Sequence, residues 1–132
     1  SLAFPIGAQV SVNQDEEMAR QATRLAICGL FHPVPHPYYE SQLRQLGFGE
    51  FADAVAALMP AGRTREAMAL VPDEVIDTMT ITGTPQQCAA RVAAYEGLAD
   101  EIIVLRIAQR GEPAGLAAYE DLWELASVTS WA

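Results

Sequence analysis

Lysine is absent from this chain: its eight basic residues are all arginines, at Arg20, Arg24, Arg44, Arg63, Arg65, Arg91, Arg106 and Arg110. No side-chain amine is therefore available for a Schiff base or a lysine nucleophile. Positive charge is scarce as a whole, since 17 acidic side chains leave a net charge of −9 and the arginines are scattered. Such a surface repels phosphate backbones and anionic lipid, which excludes nucleic acid and membrane surfaces as partners. Cysteine is nearly missing too. Cys28 and Cys88 fall far apart on helical patterns without CxxC or Cys/His spacing, so they read as buried thiols rather than a disulfide or metal pair, and a cytoplasmic location is expected. The two histidines, His32 and His36, would share a helical face, but Pro33, Pro35 and Pro37 deny the segment that geometry, and no metal site is expected. No apolar run approaches the roughly 20 residues that span a bilayer, and the start has no basic signal-peptide region. HExxH, GxSxG and Walker motifs are all missing, so the catalytic residues are unknown from sequence.

What is present describes one α/β domain over residues 1–132. With 132 residues, 51% of them hydrophobic, the chain can build a single real core. Arginine without lysine, together with abundant alanine, reads as codon usage of a GC-rich bacterial genome. The chain opens Ser1-Leu2-Ala3-Phe4 and enters a strand pattern almost at once, as expected of a piece of something longer.

Residues 4–12 alternate Ile6, Ala8, Val10 and Val12 with smaller or polar residues, which predicts a strand. Asn13 is the expected N-cap of a helix to about residue 30, with Asp15, Glu16 and Glu17 in its first turn. Its apolar stripe is expected at Met18, Ala22, Leu25 or Ala26 and Gly29, with Arg20 and Arg24 towards water. The proline-rich loop after it carries His32, His36, Tyr38 and Tyr39. Helices are then predicted over 38–46, 50–59 and 64–70, with another opening at Pro72-Asp73-Glu74. A run of helices without a strand reads as an insertion, and insertions in such folds usually lie at the ligand-bearing end of the sheet.

The best-punctuated stretch is 71–107. After a short β-branched segment over 78–82, Thr84 is the expected N-cap, Pro85 the first helical residue and Gln87 the partner in a capping box. The helix is expected to bury Cys88 and Val92 with Tyr95 or with Ala89 and Ala93, and to expose Arg91 and Glu96. Ile102 to Leu105 are apolar without alternation, the pattern of a strand covered on both faces. Arg106, at the end of that strand, is a candidate for an anionic group, with an ion pair to Glu101 or Asp100 as the alternative. A last amphipathic helix is predicted over 116–128, docking Leu116, Tyr119, Leu122, Trp123 and Leu125.

These segments, VPDEVID, TITGTPQQCAARVAAY and EGLADEIIVLRI, resemble the C-terminal region of the luciferase-like monooxygenase family, with a weaker likeness in FPIGAQVSV, DEEMARQATR and YYESQLRQLGFGE. Gln86-Gln87 stands where that family usually has an acidic pair, and Gly97-Leu98-Ala99-Asp100 is shuffled relative to its common turn. The resemblance implies a partial TIM-type (β/α) barrel, made of C-terminal βα units with a helical insertion. It also implies an oxidoreductase in which FMN, another flavin or coenzyme F-420 carries the chemistry on a small organic substrate. By the same likeness Val12, Asn13 and Arg106 would face the cofactor, and His32, His36, Tyr38 and Tyr39 would contact substrate or the cofactor tail. The fragment alone would be inactive, missing its N-terminal half or self-associating as a homo-oligomer. Two other readings stand beside it. One is a non-enzymatic α/β domain that covers an open sheet edge with a partner or second copy. The other is a βα enzyme binding a phosphorylated small molecule at the Gly83-Thr84 helix start.

Overall fold

The computed structural model describes residues 5–95, 101–113, 118, 120 and 125. Its elements follow the chain as β1 (Pro5–Val12), α1 (Glu16–Gly29), α2 (Pro37–Gln45), α3 (Gly49–Leu58), α4 (Thr64–Ala69), α5 (Asp73–Met79), β2 (Thr80–Gly83), α6 (Pro85–Ala93) and β3 (Glu101–Arg106). The three strands are parallel, in the order β2-β1-β3, with Val10 opposite both Ile81 and Arg106. The chain therefore leaves β1 on one side and returns on the other. In an open parallel sheet that reversal creates a crevice beyond the carboxyl ends of the two strands, here β1 and β3.

Successive residues of β1 serve different layers, as the twofold period of a strand requires. Ser11 donates its hydroxyl to the Ala19 carbonyl of α1 at 2.7 Å, and Thr82 of β2 shares a 2.7 Å hydroxyl contact with Thr23 of α1. Val10, Val12 and Ile81 pack instead with Cys88 and Val92 of α6 and with Leu125. A second cluster joins Ile27, Cys28 and Phe31 at the end of α1 to Leu43, Phe51, Val55, Ala67, Val75 and Ile76. The helical insertion thus owns a core, and α1 and α5 tie it to the sheet.

The insertion begins away from the strand ends. α1 begins three residues after β1, lies along β1 and β2, and its 14 residues carry the chain back about 21 Å at 1.5 Å per residue. The insertion then returns beside α1, where Met68 of α4 lines a cavity of about 640 Å³ with Met18, Gln109 and Arg110. The buried stripe of α1 differs from the expected one: it is Ala19, Thr23, Ile27 and Cys28, while Met18 and Leu25 are 39% and 52% exposed. The cause is tertiary: α5 brings Asp73 and Asp77 over α1, where Arg20 binds both and Arg24 binds Asp73 and Glu17. The arginines fold across the packed side, and Thr23 is satisfied by Ala19 O and the Thr82 hydroxyl.

Other details shift for local reasons. The segment expected to be a strand from residue 78 stays helical to Met79, and Arg91 closes that helix end by donating to the Asp77 and Thr80 carbonyls, so it is not simply exposed. Val104 and Leu105 are 38% and 52% exposed rather than covered on both faces, and among the described residues β3 stands at the edge of the sheet. The capping box is as expected: Thr84 Oγ1 accepts from Gln87 N at 3.3 Å and Gln87 Oε1 accepts from Thr84 N at 2.9 Å. Of the predicted last helix, Leu125 is buried; Leu116, Tyr119, Leu122 and Trp123, like Glu96 and the 97–100 turn, lie outside the described residues.

Candidate functional site

Beyond the carboxyl ends of β1 and β3 a cavity of about 280 Å³ is lined by Val12, Asn13, Arg106, Gln109, Arg110 and Glu112, among others. Val12, Asn13 and Arg106, the three cofactor-facing candidates, meet there. The turn after β1 explains why Asn13 is available. Asp15, not Asn13, caps α1, accepting from Glu17 N at 3.0 Å and Met18 N at 3.3 Å. Asn13 is used differently: its Oδ1 accepts from Asp15 N at 2.9 Å, an Asx turn that frees its amide nitrogen to point across the strand ends.

That nitrogen donates to Gln109 Oε1 at 3.2 Å. Gln109 in turn donates to the Ser11 hydroxyl at 2.8 Å and to the Ile107 carbonyl at 3.1 Å, and is only 8% exposed. This one amide therefore bolts the end of β3 to the end of β1. Asn13 N, donating to Gly83 O at 3.0 Å, extends the connection to β2. Gln109, Ser11 and Glu112 escaped sequence reasoning. Their trace in the sequence was a serine on β1 and a glutamine three residues after β3.

Arg106 is paired with Glu112; the side chains of Glu101 and Asp100, the alternative partners, lie outside the described residues. Glu112 Oε2 also accepts the backbone N–H of Gln109 at 2.8 Å. The Arg106 guanidinium, with help from the Gln109 N–H, holds the Glu112 carboxyl below the usual range. Asp73 is lowered in the same way by Arg20 and then Arg24. Both depressed carboxyls favour the folded state above the normal carboxylate range, and this contribution is lost as pH falls through their folded values.

The remaining candidates do not come to this cavity. His36 and Tyr39 meet edge to face at 5.0 Å, as do Tyr38 and Tyr39 at 5.2 Å, at the start of α2. With His32 they follow the far end of α1, about one helix length from the strand ends. Among the described residues no group of three His, Cys, Asp or Glu side chains is arranged to hold a metal ion. The Gly83-Thr84 helix start offers little to a phosphate. Thr84 N and Gln87 N are occupied by the capping box, and Pro85 has no N–H. Gly83 has φ +152, and a side chain there would collide with Gln87, so the glycine serves the cap.

Both cysteines are free and buried. Burial pushes the Cys28 thiol up to about 11 and the Cys88 thiol up to about 12, the latter opposed weakly by Arg91. The unfolded chain ionises these thiols from about pH 9, so their share of stability is complete below that pH and is lost as pH rises through the folded values. Urea midpoints should accordingly fall above pH 9. At pH 8 an aromatic disulfide reagent should label the folded protein at least ~100-fold more slowly than the unfolded one; equal rates would show that the thiols are not buried.

The comparisons with known proteins agree with this architecture. The model of the luciferase-like monooxygenase family matches residues 1–101. A Mycobacterium tuberculosis protein named for coenzyme F-420-dependent oxidoreductase activity is 26% identical over 81 residues, which is 61% of this chain and 23% of that protein. The solved structure of the coenzyme F-420 dependent tetrahydromethanopterin reductase from Methanopyrus kandleri matches with a TM-score of 0.66 at 20% identity, over 94% of this chain and 33% of that one. The chain spans less than two thirds of either relative, and its mixed α/β fold with a parallel sheet is that of a partial TIM-type barrel.

Proposed function

The chain belongs to the luciferase-like monooxygenase family, and on that premise we propose that it forms the C-terminal part of a coenzyme F-420-dependent or flavin-dependent oxidoreductase. The observation that carries the reading is the convergence of Val12, Asn13, Gln109 and Arg106 on one cavity at the carboxyl ends of parallel strands. Active sites of barrel folds occupy that end of the sheet. The two relatives, each named for coenzyme F-420, favour a deazaflavin over FMN.

The residues fit one end of such a cofactor. Two amides and a guanidinium suit ring carbonyls and anionic tails, whereas a cavity of about 280 Å³ lies at the lower limit of sites that enclose a small molecule, roughly 300–1,000 Å³. When bound, a deazaflavin or flavin supplies hydride transfer to or from a small organic substrate. The protein's part is to orient it. Val12 offers an apolar wall, the Asn13 amide is held in place by Gln109 and by its own turn, and Arg106 supplies positive charge in a largely enclosed position. The rest of the site is left to chain beyond these residues, and the substrate contacts with it.

A version extended to the length of the relatives tests this reading. It should bind reduced F-420 and oxidise it when given substrate, and Arg106→Gln should raise the cofactor Kd about tenfold, the usual scale for a lost charge-assisted hydrogen bond. An extended protein that is folded and binds neither F-420 nor FMN would refute the proposal.

A further inference from the structure

We infer that Ser11 and Gln109 are positioning residues that lock the Asn13 side chain as a hydrogen-bond donor to the cavity, so that the ligand presents an acceptor oxygen, such as a ring carbonyl, at that point. The lock stands on the hydrogen bonds alone, whereas the ring carbonyl rests on the reading of function above. The chain of bonds has one sense. A serine hydroxyl carries a single proton, and Ser11 spends it on the Ala19 carbonyl at 2.7 Å. Only its lone pairs remain for Gln109, and the Ile107 carbonyl has nothing but lone pairs to offer. The Gln109 nitrogen must therefore face both, at 2.8 and 3.1 Å. Its oxygen is left turned towards Asn13, where it accepts from Nδ2 at 3.2 Å.

Asn13 is fixed from its other side too. Its Oδ1 is held by the Asp15 N–H at 2.9 Å, so the carboxamide cannot exchange oxygen for nitrogen without losing both bonds. One Nδ2 hydrogen goes to Gln109; the second has no partner among the described residues and is left for a ligand in the cavity that Asn13 lines. A reversed Gln109 would set its oxygen against the Ile107 carbonyl, in a position only 8% exposed where water gives little relief. Ser11, 0% exposed, thus decides from below what the site can read, without lining the cavity. A donor held in this way favours ligands with a carbonyl oxygen at that point over those with an N–H there, which would meet a like group.

Asn13→Asp, followed by carbon-13 NMR titration of the introduced carboxyl, tests the lock. With Gln109 held by Ser11 and Ile107, its oxygen faces that carboxyl and should raise its pKa. Adding Ser11→Ala removes one of the two restraints, lets Gln109 turn its nitrogen to the carboxylate, and should lower the pKa by about one pH unit. Arg106, Arg110, Glu112 and Glu120 line the cavity in both variants, and Asp15 belongs to the same turn, so their fields cancel in the comparison. Loss of packing alone would not move the carboxyl downward. An equal or higher pKa in the double variant overturns the inference, as does a through-hydrogen-bond coupling in the wild type from Gln109 Nε2 to the Asn13 side-chain carbonyl carbon rather than from Asn13 Nδ2 to that of Gln109. FMN, added to the wild type, separates the ligand class from the reading of function. A shift of the outward Asn13 hydrogen on binding supports both. FMN binding with that hydrogen silent overturns the acceptor assignment and leaves the function standing. No binding of FMN or F-420, with the carboxyl behaving as expected, leaves the lock standing and sinks the cofactor reading.

Discussion

Phe31→Ala is expected to destabilise the protein by about 3–5 kcal/mol, the range for emptying a buried aromatic site. Phe31 is 1% exposed and meets Phe51 edge to face at 6.5 Å, at the point where α1 gives way to the insertion. Its neighbours in the cluster come from α1, α2, α3, α4 and α5, so collapse of the site cannot be absorbed by one helix. Because α1 and α5 also pack on β2, the loss should be felt by the sheet. At ~3 °C per kcal/mol for a domain of this size, the melting temperature should drop by roughly 9–15 °C in one transition seen alike by near-ultraviolet and far-ultraviolet circular dichroism. Two separated transitions would mean that the insertion folds independently of the sheet.

The second large effect belongs to the site. Gln109→Leu keeps most of the volume and removes the side-chain hydrogen bonds by which Gln109 ties the end of β3 to β1. The Ile107 carbonyl and the Asn13 amide nitrogen lose their partner, and Ser11 loses a donor while keeping its own bond to Ala19 O. Leaving one or two buried polar groups unsatisfied costs about 2–3 kcal/mol. Urea denaturation should show that loss. Hydrogen exchange should locate it at Asn13, Ile107 and the strand ends, with α3 and α4 unaffected. A loss below ~0.5 kcal/mol, the scale of an ordinary surface change, would mean that Gln109 does not hold the strand ends together.

Local signals in the sequence were legible where local chemistry decides the structure. Thr84, Pro85 and Gln87 specify a helix start among four residues, and the structure forms that cap. The prolines and glycines bounding α2, α3 and α4 act over similarly short distances, and their helices fall within a residue or two of the expected ranges. The buried character of Cys28 and Cys88 could be read from their place on apolar helical patterns. The stripe of α1 could not, because Met18 and Leu25 are as apolar as Ile27. What chooses between the two faces is the arrival of Asp73 and Asp77 from more than 45 residues away, as measured by the separations of the Arg24 and Arg20 pairs. The strand order was hidden for the same reason.

The candidate site shows a similar division. Val12, Asn13 and Arg106 were legible as candidates through the family resemblance, and they line one cavity because the ends of parallel strands share one side of a sheet. Gln109 and Glu112 were not, since their roles depend on a turn at Gly111 and on the pairing of β1 with β3, separated by more than 90 residues. His32, His36, Tyr38 and Tyr39 were candidates through the same resemblance, and they do not line the cavity at the strand ends.

The central claim is that the ends of β1 and β3, and not the segment around the start of α2, receive the cofactor. Amide and side-chain NMR shifts of this chain on addition of F-420, and separately of FMN, test it most directly. The account predicts that the largest changes fall on Asn13, Arg106, Gln109 and Glu112, with His36, Tyr38 and Tyr39 unmoved. Changes concentrated on the histidine and tyrosine segment, with the strand ends silent, would contradict it.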